Sequence, residues 1–485
     1  MLRHDKWSVV MNLLSKGDLL SLMHTSRGIH ELGLPVLLGL PLKLLPSGTR
    51  FFCELLNKDI SRYAPMLRDI RLPYVEDSKT ISEAVTCLDL PKVMKYAINL
   101  RSLRVLNSQD VVAACPDFAS SLHSLPKLEQ LWFDDLSQSI YDELASGPWP
   151  LTHLYLRWCL LDINTFDIVP IIAHLAETLQ VLDVEYIDFH KLASSEHIFP
   201  RMRTLTVGQV QVDDWAETGE IALAFPNIRS FSVIHDFNDD FLDDCEQQRD
   251  NNELDAASVR PYHWEELDEI NMPFNVLYAL NVRCTTQCLF PTSPSVDNYM
   301  PVHPEALVNC HPTAMMMNLK LCAELFESLS VVWSNAPQLT HLSYTFPFGE
   351  ACTNAEAEEL TDLLRHFIDT HKFAPCTHLC LVFTFPMNGG RYNWTNLFEK
   401  CDIGVADAAG LAQRLVDVIP GLELIDIQGH QRTDSSEPLF NCWMGKVVTT
   451  EEGRKVVKSE FERTEIFDPG LQHKEWDIDW YSLAA

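Results

Sequence analysis

Apolar residues recur along this chain in a six-residue pattern with leucine or a similar side chain at positions one, four and six, and residues 151–156 form a clear copy. Alternation of apolar and polar residues over positions four to six is typical of a strand with one buried face and one wet face. The other copies begin at Leu67, Leu100, Leu128, Leu179, Met202, Ile228, Leu277, Leu339, Cys376 and Leu422. Each copy predicts the strand of one repeat.

The segments between the copies have apolar residues at helical spacing. They predict helices over residues 110–125, 137–145, 168–178, 213–225, 319–333, 355–371 and 405–419. Alternating strands and helices at such intervals indicate stacked repeats, none of which can bury its own apolar face alone. The predicted fold is therefore α/β, a leucine-rich-repeat-like solenoid with a curved parallel sheet and outer helices.

Prolines occur at a shared position in successive repeats. Pro65, Pro126, Pro200, Pro226, Pro337 and Pro420 each lie two residues before the first apolar position, and Pro150 and Pro375 lie one residue before it. Proline ends a preceding helix and favours extended geometry in the residue before it, so it suits a corner from helix to strand. This constant distance between proline and pattern indicates true repeats, because a mere abundance of leucine would not produce it.

The pattern divides the chain into three segments. Residues 46–430 are predicted to form the irregular solenoid, with an insertion around residues 235–335. Residues 431–485 leave the pattern and predict a C-terminal cap or tail, with a charged helix over residues 450–463. Trp476 and Trp480 near the end are interpreted as covering the last repeat, and a docking peptide for a partner is the alternative.

Residues 1–45 have a helical pattern of their own. Residues 7–14 and 19–27 are apolar at helical spacing, and the intervening break predicts two separate helices. Asp18 is the predicted N-cap of the second helix, and Gly28 or Gly33 is its predicted end. Helices this short have little core of their own, so they need a partner or the solenoid to pack against.

The N-terminal segment resembles a known family. The run from Leu13 through Asp18 to Arg27 is similar to the later part of an F-box, in which a helix, an Asp-Leu start and a Val-Ser-Arg-like ending are typical. Residues 33–38 resemble the sequence that follows the F-box in fungal F-box proteins with irregular leucine-rich repeats. The Leu-Pro pair that usually opens the box is absent, which marks it as divergent or N-terminally truncated. The alternative is a capping element over the first repeat.

The resemblance implies a function. Proteins of this family are substrate-recognition subunits of SCF-type (cullin-RING) ubiquitin ligases, which bind a Skp-type adaptor through the F-box and a target protein through the repeats. By that match Leu13, Leu14, Leu19 and Leu22 would form the adaptor-binding surface. The alternative is a leucine-rich-repeat scaffold for protein interactions with no role in a ubiquitin ligase.

The wet face of the predicted sheet holds the candidate substrate-binding residues. If positions four and six of each repeat point inward, positions three, five and seven point to this face. The early repeats then place Arg71, Arg104, Trp132, Tyr155 and Arg157 there, followed by Asp183 and Glu185. Trp, Tyr and Arg dominate interface hot spots, so these residues predict a protein-binding patch. The alternative is that Trp132 packs beneath a loop or a neighbouring strand.

Composition narrows the functional classes. The chain carries 37 basic and 68 acidic residues, a net charge of −31, which argues against general affinity for nucleic acid or anionic membranes. Its 14 cysteines lack the spacing of a disulfide framework, and no apolar run marks a signal peptide. The apolar stretch over residues 33–46 is broken and too short to cross a bilayer. We therefore expect a cytoplasmic or nuclear protein with reduced thiols.

Candidate metal sites are weak in the sequence. Asp236, Asn238 and Asp240 have the spacing of a calcium loop, but Phe241 and Gln247 replace the Gly and Glu that such a loop needs. Five possible zinc ligands do not have the spacing of a common zinc module. They are Cys284, Cys288, His303, Cys310 and His311. We predict no metal and no cofactor.

An enzyme is also not predicted. The sequence contains no nucleophile elbow, zinc-protease helix, phosphate loop or dinucleotide fingerprint. His153, His341 and His378 occupy one equivalent position in three repeats, which favours a surface face over a single catalytic base.

Overall fold

The computed structural model describes residues 4–43, 52, 55–56, 58–72, 89–157, 167–208, 216–234, 241–256, 263–291, 304–318, 333, 336–347, 362, 364–385, 408–431, 439–450 and 454–466. The chain divides into two compact units, Met1–Ile228 and Arg229–Ala485, referred to as the N-terminal and C-terminal units. The division falls within the segment predicted as one solenoid. Both units are α/β, and their strands are mostly parallel.

Three helices open the N-terminal unit: α1 (His4–Asn12), α2 (Lys16–Met23) and α3 (Arg27–Gly39). Ser15 is the N-cap of α2, because its Oγ accepts a hydrogen bond from the Asp18 backbone N–H at 3.2 Å. The prediction that Asp18 is the N-cap is therefore wrong. Asp18 lies in the first turn of α2, where its carboxylate accepts a hydrogen bond from the Ser15 hydroxyl at 2.7 Å. Its negative charge also interacts favourably with the positive end of the helix dipole.

Helices α2 and α3 pack closely through Gly33. A Cβ atom at this position would lie 2.5 Å from Cγ of Met23, so only glycine allows the observed approach. The predicted helix ends at Gly28 and Gly33 are wrong, since α2 stops at Met23 and α3 continues through Gly33 to Gly39. Leu19 and Met23 of α2 are buried together with Leu34 of α3.

Seven strands of the N-terminal unit pair in parallel in sequence order. They are β1 (Leu42–Lys43), β2 (Asp69–Leu72), β3 (Ser102–Val105), β4 (Gln130–Asp134), β5 (His153–Arg157), β6 (Val181–Glu185) and β7 (Thr204–Gly208). The helices between them are Ile60–Tyr63, Leu90–Tyr96, Ser108–Ala114, Phe118–Ser121, Gln138–Ser146, Val169–Ile172, Phe189–Ala193 and Thr218–Ala224. Strands β2 to β7 each begin two residues after a predicted first apolar position, so the strand predictions are confirmed there.

One backbone contact repeats between successive strands and fixes their register. The carbonyl at position two of a repeat accepts hydrogen bonds from the N–H groups at positions two and three of the next. The Arg68 carbonyl accepts from Arg101 and Ser102 at 2.8 and 3.0 Å, and the carbonyls of Arg101, Glu129, Thr152 and Gln180 do the same one repeat later. Positions one, four and six are buried, as Leu151, Leu154 and Leu156 show.

The prolines lie at corners between helix and strand. Pro65 lies in a 3-10 turn over Ala64–Met66, and its carbonyl accepts from the Asn99 side-chain amide at 2.9 Å. The Arg68 guanidinium donates to the Asn99 carbonyl at 3.1 Å, which ties one corner to the next. The same arrangement recurs among Pro200, Arg203 and Asn227 at 2.9 and 3.0 Å.

Among the described residues of the C-terminal unit, nine strands form the sheet. Seven pair in parallel in sequence order: β8 (Ser230–Ile234), β9 (Glu266–Asn271), β10 (Thr285–Phe290), β11 (Pro312–Asn318), β12 (His341–Pro347), β13 (His378–Phe385) and β14 (Leu424–Gln431). The last two, β15 (Leu439–Thr449) and β16 (Lys455–Ile466), follow in antiparallel order. The helices of this unit are Phe241–Ala256, Phe274–Leu280, Pro304–Cys310, residues 364–370 and Ala408–Val418.

The strand predicted to begin at Leu277 is wrong. Residues Phe274–Leu280 form a helix that starts after Pro273 and ends where Asn281 adopts a left-handed conformation with φ 49°. Leu277 and Leu280 are three residues apart, a spacing that fits one face of a helix as well as the repeat pattern. The strand of this repeat is β10, and the segment predicted as an insertion also contributes β9 and β11 to the parallel sheet.

The charged helix predicted over residues 450–463 is also wrong. Most of this segment is strand β16, which pairs with β15 and places Val456 and Val457 opposite Val448 and Val447. Cross-strand pairs of β-branched residues stabilise a sheet and outweigh the helical preference of the charged residues around them. Trp476, Trp480 and most of the predicted helix over residues 319–333 lie outside the described residues.

In the part of the chain that the structure describes, no helix has the length and apolar character needed to span a bilayer.

Candidate binding face on the N-terminal unit

Position five of successive strands forms a continuous row on one face of the N-terminal sheet. Arg71, Arg104, Trp132, Tyr155 and Asp183 are register partners from β2 to β6. All five are exposed or half-buried, whereas the residues that flank them in each strand are buried. The structure therefore brings four of the predicted binding residues into one row, and it places Arg157 two residues after Tyr155 on the same face.

An aromatic stack lies at the centre of this row. The rings of Trp132 and Tyr155 are 4.4 Å apart at an interplanar angle of 15°. The guanidinium of Arg104 lies 3.8 Å from the Trp132 ring centroid, and that of Arg157 lies 5.5 Å from it. Trp132 thus packs between an arginine and a tyrosine on the face of the sheet, and its Nε1–H donates to Asp134 at 2.8 Å. These four side chains, Arg104, Trp132, Tyr155 and Arg157, are called the Arg-aromatic cluster.

Acidic residues border the cluster on strand β6. The Arg157 guanidinium lies 3.3 Å from Glu185 and 3.8 Å from Asp183. Burial raises the pKa of Asp183 to about 6 and the Asp134 carboxylate adds to the rise, although the Arg157 charge acts in the opposite direction. Oδ1 of Asp183 is buried and has no hydrogen-bond partner among the described residues. Asp183 is therefore an incompletely neutralised carboxylate beside the aromatic stack.

Arg71 belongs to the row, but its guanidinium binds a carboxylate of its own strand. Its guanidinium forms a fork on the Asp69 carboxylate, with Nη2 at 2.9 Å and Nε at 3.2 Å. This hydrogen bond raises the pKa of Arg71 further above its ordinary value. Arg71 remains about half exposed, so it presents its aliphatic stem and a partly satisfied charge at one end of the row.

Two residues of the face were not predicted. Asp69 at position three and Asp134 at position seven both orient a predicted side chain, namely Arg71 and Trp132. The same alternation that found the arginines and aromatics also places these carboxylates on the wet face. Asp and Glu are not enriched among interface hot spots, so residue type alone does not single out these two carboxylates.

The four predicted adaptor-binding leucines differ in exposure. Leu13 is 81% exposed, and Leu14 and Leu22 are half-buried. Leu19 is fully buried between the helices, so the prediction that it lies on the adaptor-binding surface is wrong. It packs against α3 and supports α2, the helix that carries Leu22. Val9, 62% exposed on α1, adds an apolar side chain that was not predicted.

A shallow groove lies beside these leucines. Its lining comes from α1 and α2 and from the turns that follow each of them. The lining residues are Trp7, Val10, Leu14, Asp18, Ser21, Leu22 and Thr25. The apolar residues of the groove and the exposed Leu13 form one partly exposed apolar surface on the first two helices.

The described residues contain no group of three or more His, Cys, Asp or Glu side chains that could hold a metal ion. Burial raises the pKa of Cys284 to about 11 and that of Cys288 to about 12, so both thiols are neutral near pH 7. Cys310 is also buried, with a raised pKa. His303 and residues 236–240 of the calcium pattern lie outside the described residues, and Phe241 begins a helix where a loop would be needed.

No protein-family model matches this chain, and no curated protein matches its sequence.

Proposed function

We propose that this chain is the substrate-recognition subunit of an SCF-type cullin-RING ubiquitin ligase in the cytoplasm or nucleus. In this proposal the fold is a leucine-rich-repeat solenoid preceded by an F-box-like element. The N-terminal helices bind a Skp-type adaptor, and the face of the N-terminal sheet binds the target protein. The observation that carries the target-binding part of the proposal is the Arg-aromatic cluster, displayed on consecutive parallel strands, and the adaptor contact is supported by the exposed apolar side chains of the first two helices.

The chemistry of the cluster supports protein binding. Trp, Tyr and Arg combine a large contact area with directional polar groups, and they are the residues most enriched among interface hot spots. Here Arg104, Trp132 and Tyr155 already stack on one another, at 3.8 and 4.4 Å. Because the stack restricts their rotamers before binding, these three side chains lose less conformational entropy when a partner contacts them.

The repeating register supports the solenoid. A position-two carbonyl that accepts two N–H groups from the next repeat recurs from Arg68 to Gln180, and again at Thr340 and Thr377 in the C-terminal unit. Equivalent contacts at equivalent positions are what stacked repeats require, since each repeat is stabilised mainly by its neighbours.

The N-terminal helices support the adaptor contact. Val9, Val10 and Leu13 are exposed aliphatic side chains on or just after α1, and Leu20 is exposed on α2. Removing such side chains from water contributes about 25 cal/mol per Å² of buried apolar area. A partner that covers this surface would supply the packing that three short helices lack.

A repeat scaffold without ligase function is the second candidate, and the Arg-aromatic cluster fits it equally well. The two proposals differ in whether a Skp-type adaptor binds the N-terminal helices. Co-expression of the full chain with such an adaptor, followed by size-exclusion chromatography, separates them. We expect co-elution with the parent and loss of co-elution with Leu13→Asp, because a charge at an 81% exposed apolar contact blocks docking.

His30→Asp is the matched control for that variant, since it places the same charge on an exposed residue of α3. It should leave adaptor binding unchanged. A parent chain that does not bind the adaptor would favour the scaffold. Equal loss with both variants would show that Leu13 is not a specific contact.

The target-binding face is tested by a triple variant, Trp132→Ala, Tyr155→Ala and Arg157→Ala. We expect it to lose interactors that the parent retains in affinity purification with quantitative mass spectrometry. The control triple is Lys92→Ala, Lys95→Ala and Tyr96→Ala, all exposed on the helix Leu90–Tyr96. If the cluster variant keeps the full set of parental interactors, the face does not bind the target.

A further inference from the structure

The row of position-five side chains steps down beyond its aromatic stack. Tyr155 on β5 is the register partner of Asp183 on β6, and Asp183 is the register partner of Thr206 on β7. Asp183 and Thr206 are both half-buried, and their side chains are much shorter than that of tyrosine. The stack therefore ends at a step whose wall is the Tyr155 ring and whose floor is formed by Asp183 and Thr206.

The second face of the Tyr155 ring borders this step. The Trp132 ring covers the first face at 4.4 Å, and it comes from β4, on the side of β5 that lies away from β6. The second face is therefore directed towards Asp183. Among the described residues, no other ring and no cationic side chain lies over it. The face of an aromatic ring is electron-rich, so it attracts a cation.

Asp183 is a buried charge that forms no hydrogen bond with the described residues. Its side chain is 14% exposed, Oδ1 has no hydrogen-bond partner, and Oδ2 lies 3.8 Å from Arg157, beyond hydrogen-bond distance. Arg157 lies closer to Glu185, at 3.3 Å. A buried carboxylate without donors costs stability, because it has lost water and gained nothing in return. At a candidate binding face, such a group indicates a donor that arrives with the partner.

Charge complementarity favours a basic partner at this step. The Arg71 guanidinium forms its fork on Asp69, and that of Arg157 lies against Glu185, so both arginines already have carboxylates of their own. The step at Asp183 therefore lacks a cation and not an anion. The net charge of −31 acts in the same direction, since it attracts basic proteins over a long range.

Arginine is the cation that fits both the aromatic wall and the carboxylate. Its planar guanidinium can stack on a ring and donate two parallel N–H groups to a carboxylate, whereas the lysine ammonium is a compact and strongly hydrated point charge. The other end of the stack already shows this contact, because the Arg104 guanidinium lies 3.8 Å from the Trp132 ring centroid. An arginine on the second face of Tyr155 would place a guanidinium at both ends of the stack.

We propose that the target protein inserts an arginine side chain at this step, where its guanidinium stacks on Tyr155 and donates hydrogen bonds to Asp183. The buried carboxylate then gains its donors only in the complex, so binding removes a cost that the free protein carries. This inference rests on the proposed role of the face in target binding, and it is independent of the adaptor contact.

Phage display of random peptides on the immobilised full-length chain supplies probes for the step. Peptides that bind the parent but not the triple variant Trp132→Ala, Tyr155→Ala and Arg157→Ala are the ones that use this face. We expect arginine to be enriched at one position of these peptides. Synthetic copies with a fluorescent label then allow the affinity to be measured by anisotropy at pH 7.5.

A double-mutant cycle tests the contact between that arginine and Asp183. Replacing the peptide arginine by citrulline, a neutral side chain of almost the same shape, should weaken binding to the parent at least about tenfold. With Asp183→Asn the same replacement should cost no more than about threefold, because the charge pair is already broken. Replacing the arginine by lysine should weaken binding to the parent several-fold, since the planar fork and the stacking are lost.

Asp117→Asn is the matched control, since it removes the same charge from an exposed position, and it should keep the citrulline penalty of the parent. Circular dichroism establishes that each variant is folded. Face-binding peptides without enriched arginine, an equal citrulline penalty in the parent and in Asp183→Asn, or a lysine peptide that binds as tightly would each overturn the arginine contact and leave the target-binding face intact. If no selected peptide depends on the cluster, both the contact and the face are rejected.

Discussion

His371 shows how the core of the C-terminal unit accommodates a titratable group. Its Nδ1–H donates to the Phe367 carbonyl at 2.7 Å, and its Nε2 accepts from the Tyr344 hydroxyl. The ring also stacks on Phe367 at 4.0 Å. Full burial lowers the pKa of His371 to about 3, because the charged form would lose its hydration.

We predict that this histidine makes the protein sensitive to acid. The unfolded chain takes up a proton on His371 below about pH 6.5, whereas the folded chain resists it down to about pH 3. Protonation of His371 therefore does not reduce the free energy of unfolding above about pH 6.5. Between about pH 6.5 and pH 3 it lowers that free energy by about 1.4 kcal/mol per pH unit. Urea unfolding at pH 7, 6 and 5 measures this, and His371→Gln should show a shallower decline than the parent. Parallel declines would exclude His371 as the cause.

We predict that Asp183 has the opposite effect on the pH dependence of folding stability. Its folded pKa of about 6 lies above the ordinary value of 3.8, so it destabilises the fold above about pH 6 and this penalty disappears as the pH falls towards 4. Asp183→Asn should raise stability at pH 7.5 by about 1 kcal/mol, less than the pKa change alone implies because Arg157 loses a partner.

Thermal unfolding at pH 7.5 and pH 5 measures that effect, with the exposed Asp117→Asn as the control. The gain from Asp183→Asn should be smaller at pH 5, where the parent carboxyl is already protonated. A variant that is less stable than the parent at both pH values would contradict the prediction.

At the residue scale, sequence patterns predicted which side chains share a face but not how they contact one another. Strict alternation in β3 to β5 was enough to place Arg104, Trp132 and Tyr155 in one row. The stacking order depends on rotamers and on the hydrogen bond from Trp132 to Asp134; alternation places Asp134 on the same face but does not reveal this contact. Leu19 was misplaced because the apolar face of an isolated helix does not reveal which of its residues another helix covers.

At the scale of elements, the packing of α2 on α3 depends on Gly33. We predict that Gly33→Leu destabilises the three helices by about 1–3 kcal/mol, since the added side chain must displace Met23. Hydrogen exchange should become faster in α2 and α3. Gly28→Ala is the control, because its Cβ meets nothing within 4 Å. Unchanged protection in the Gly33 variant would show that the close approach is not needed.

The two mispredicted elements were missed for different physical reasons. The apolar residues of Phe274–Leu280 fit either a helix or the repeat pattern, and only the Pro273 start and the left-handed Asn281 distinguish the two. The charged residues of β16 favour a helix locally, whereas pairing with β15 is decided by contacts distant in sequence. Strands with a proline corner and strict alternation, such as β7 after Pro200, were predicted correctly.

At the scale of the whole molecule, the net charge of −31 sets the response to salt. Repulsion among like charges opposes the compact state and is screened as ionic strength rises. We predict that the melting temperature at pH 7.5 rises by at least about 2 °C between 10 and 300 mM NaCl. Scanning calorimetry measures it. A fall over this range would show that specific ion pairs, such as those of Arg157, outweigh general repulsion.

Strand β16 has a consequence for polymerisation. The parallel stack from β8 to β14 would present an unpaired edge onto which a second copy could add, as in a growing fibre. The antiparallel pair β15 and β16 covers that edge, and β16 is the last strand among the described residues. The described side chains of β16 include the charged Lys455 and Lys458. Charged side chains on an outer strand oppose strand addition, so these two lysines disfavour the pairing of a further strand with β16.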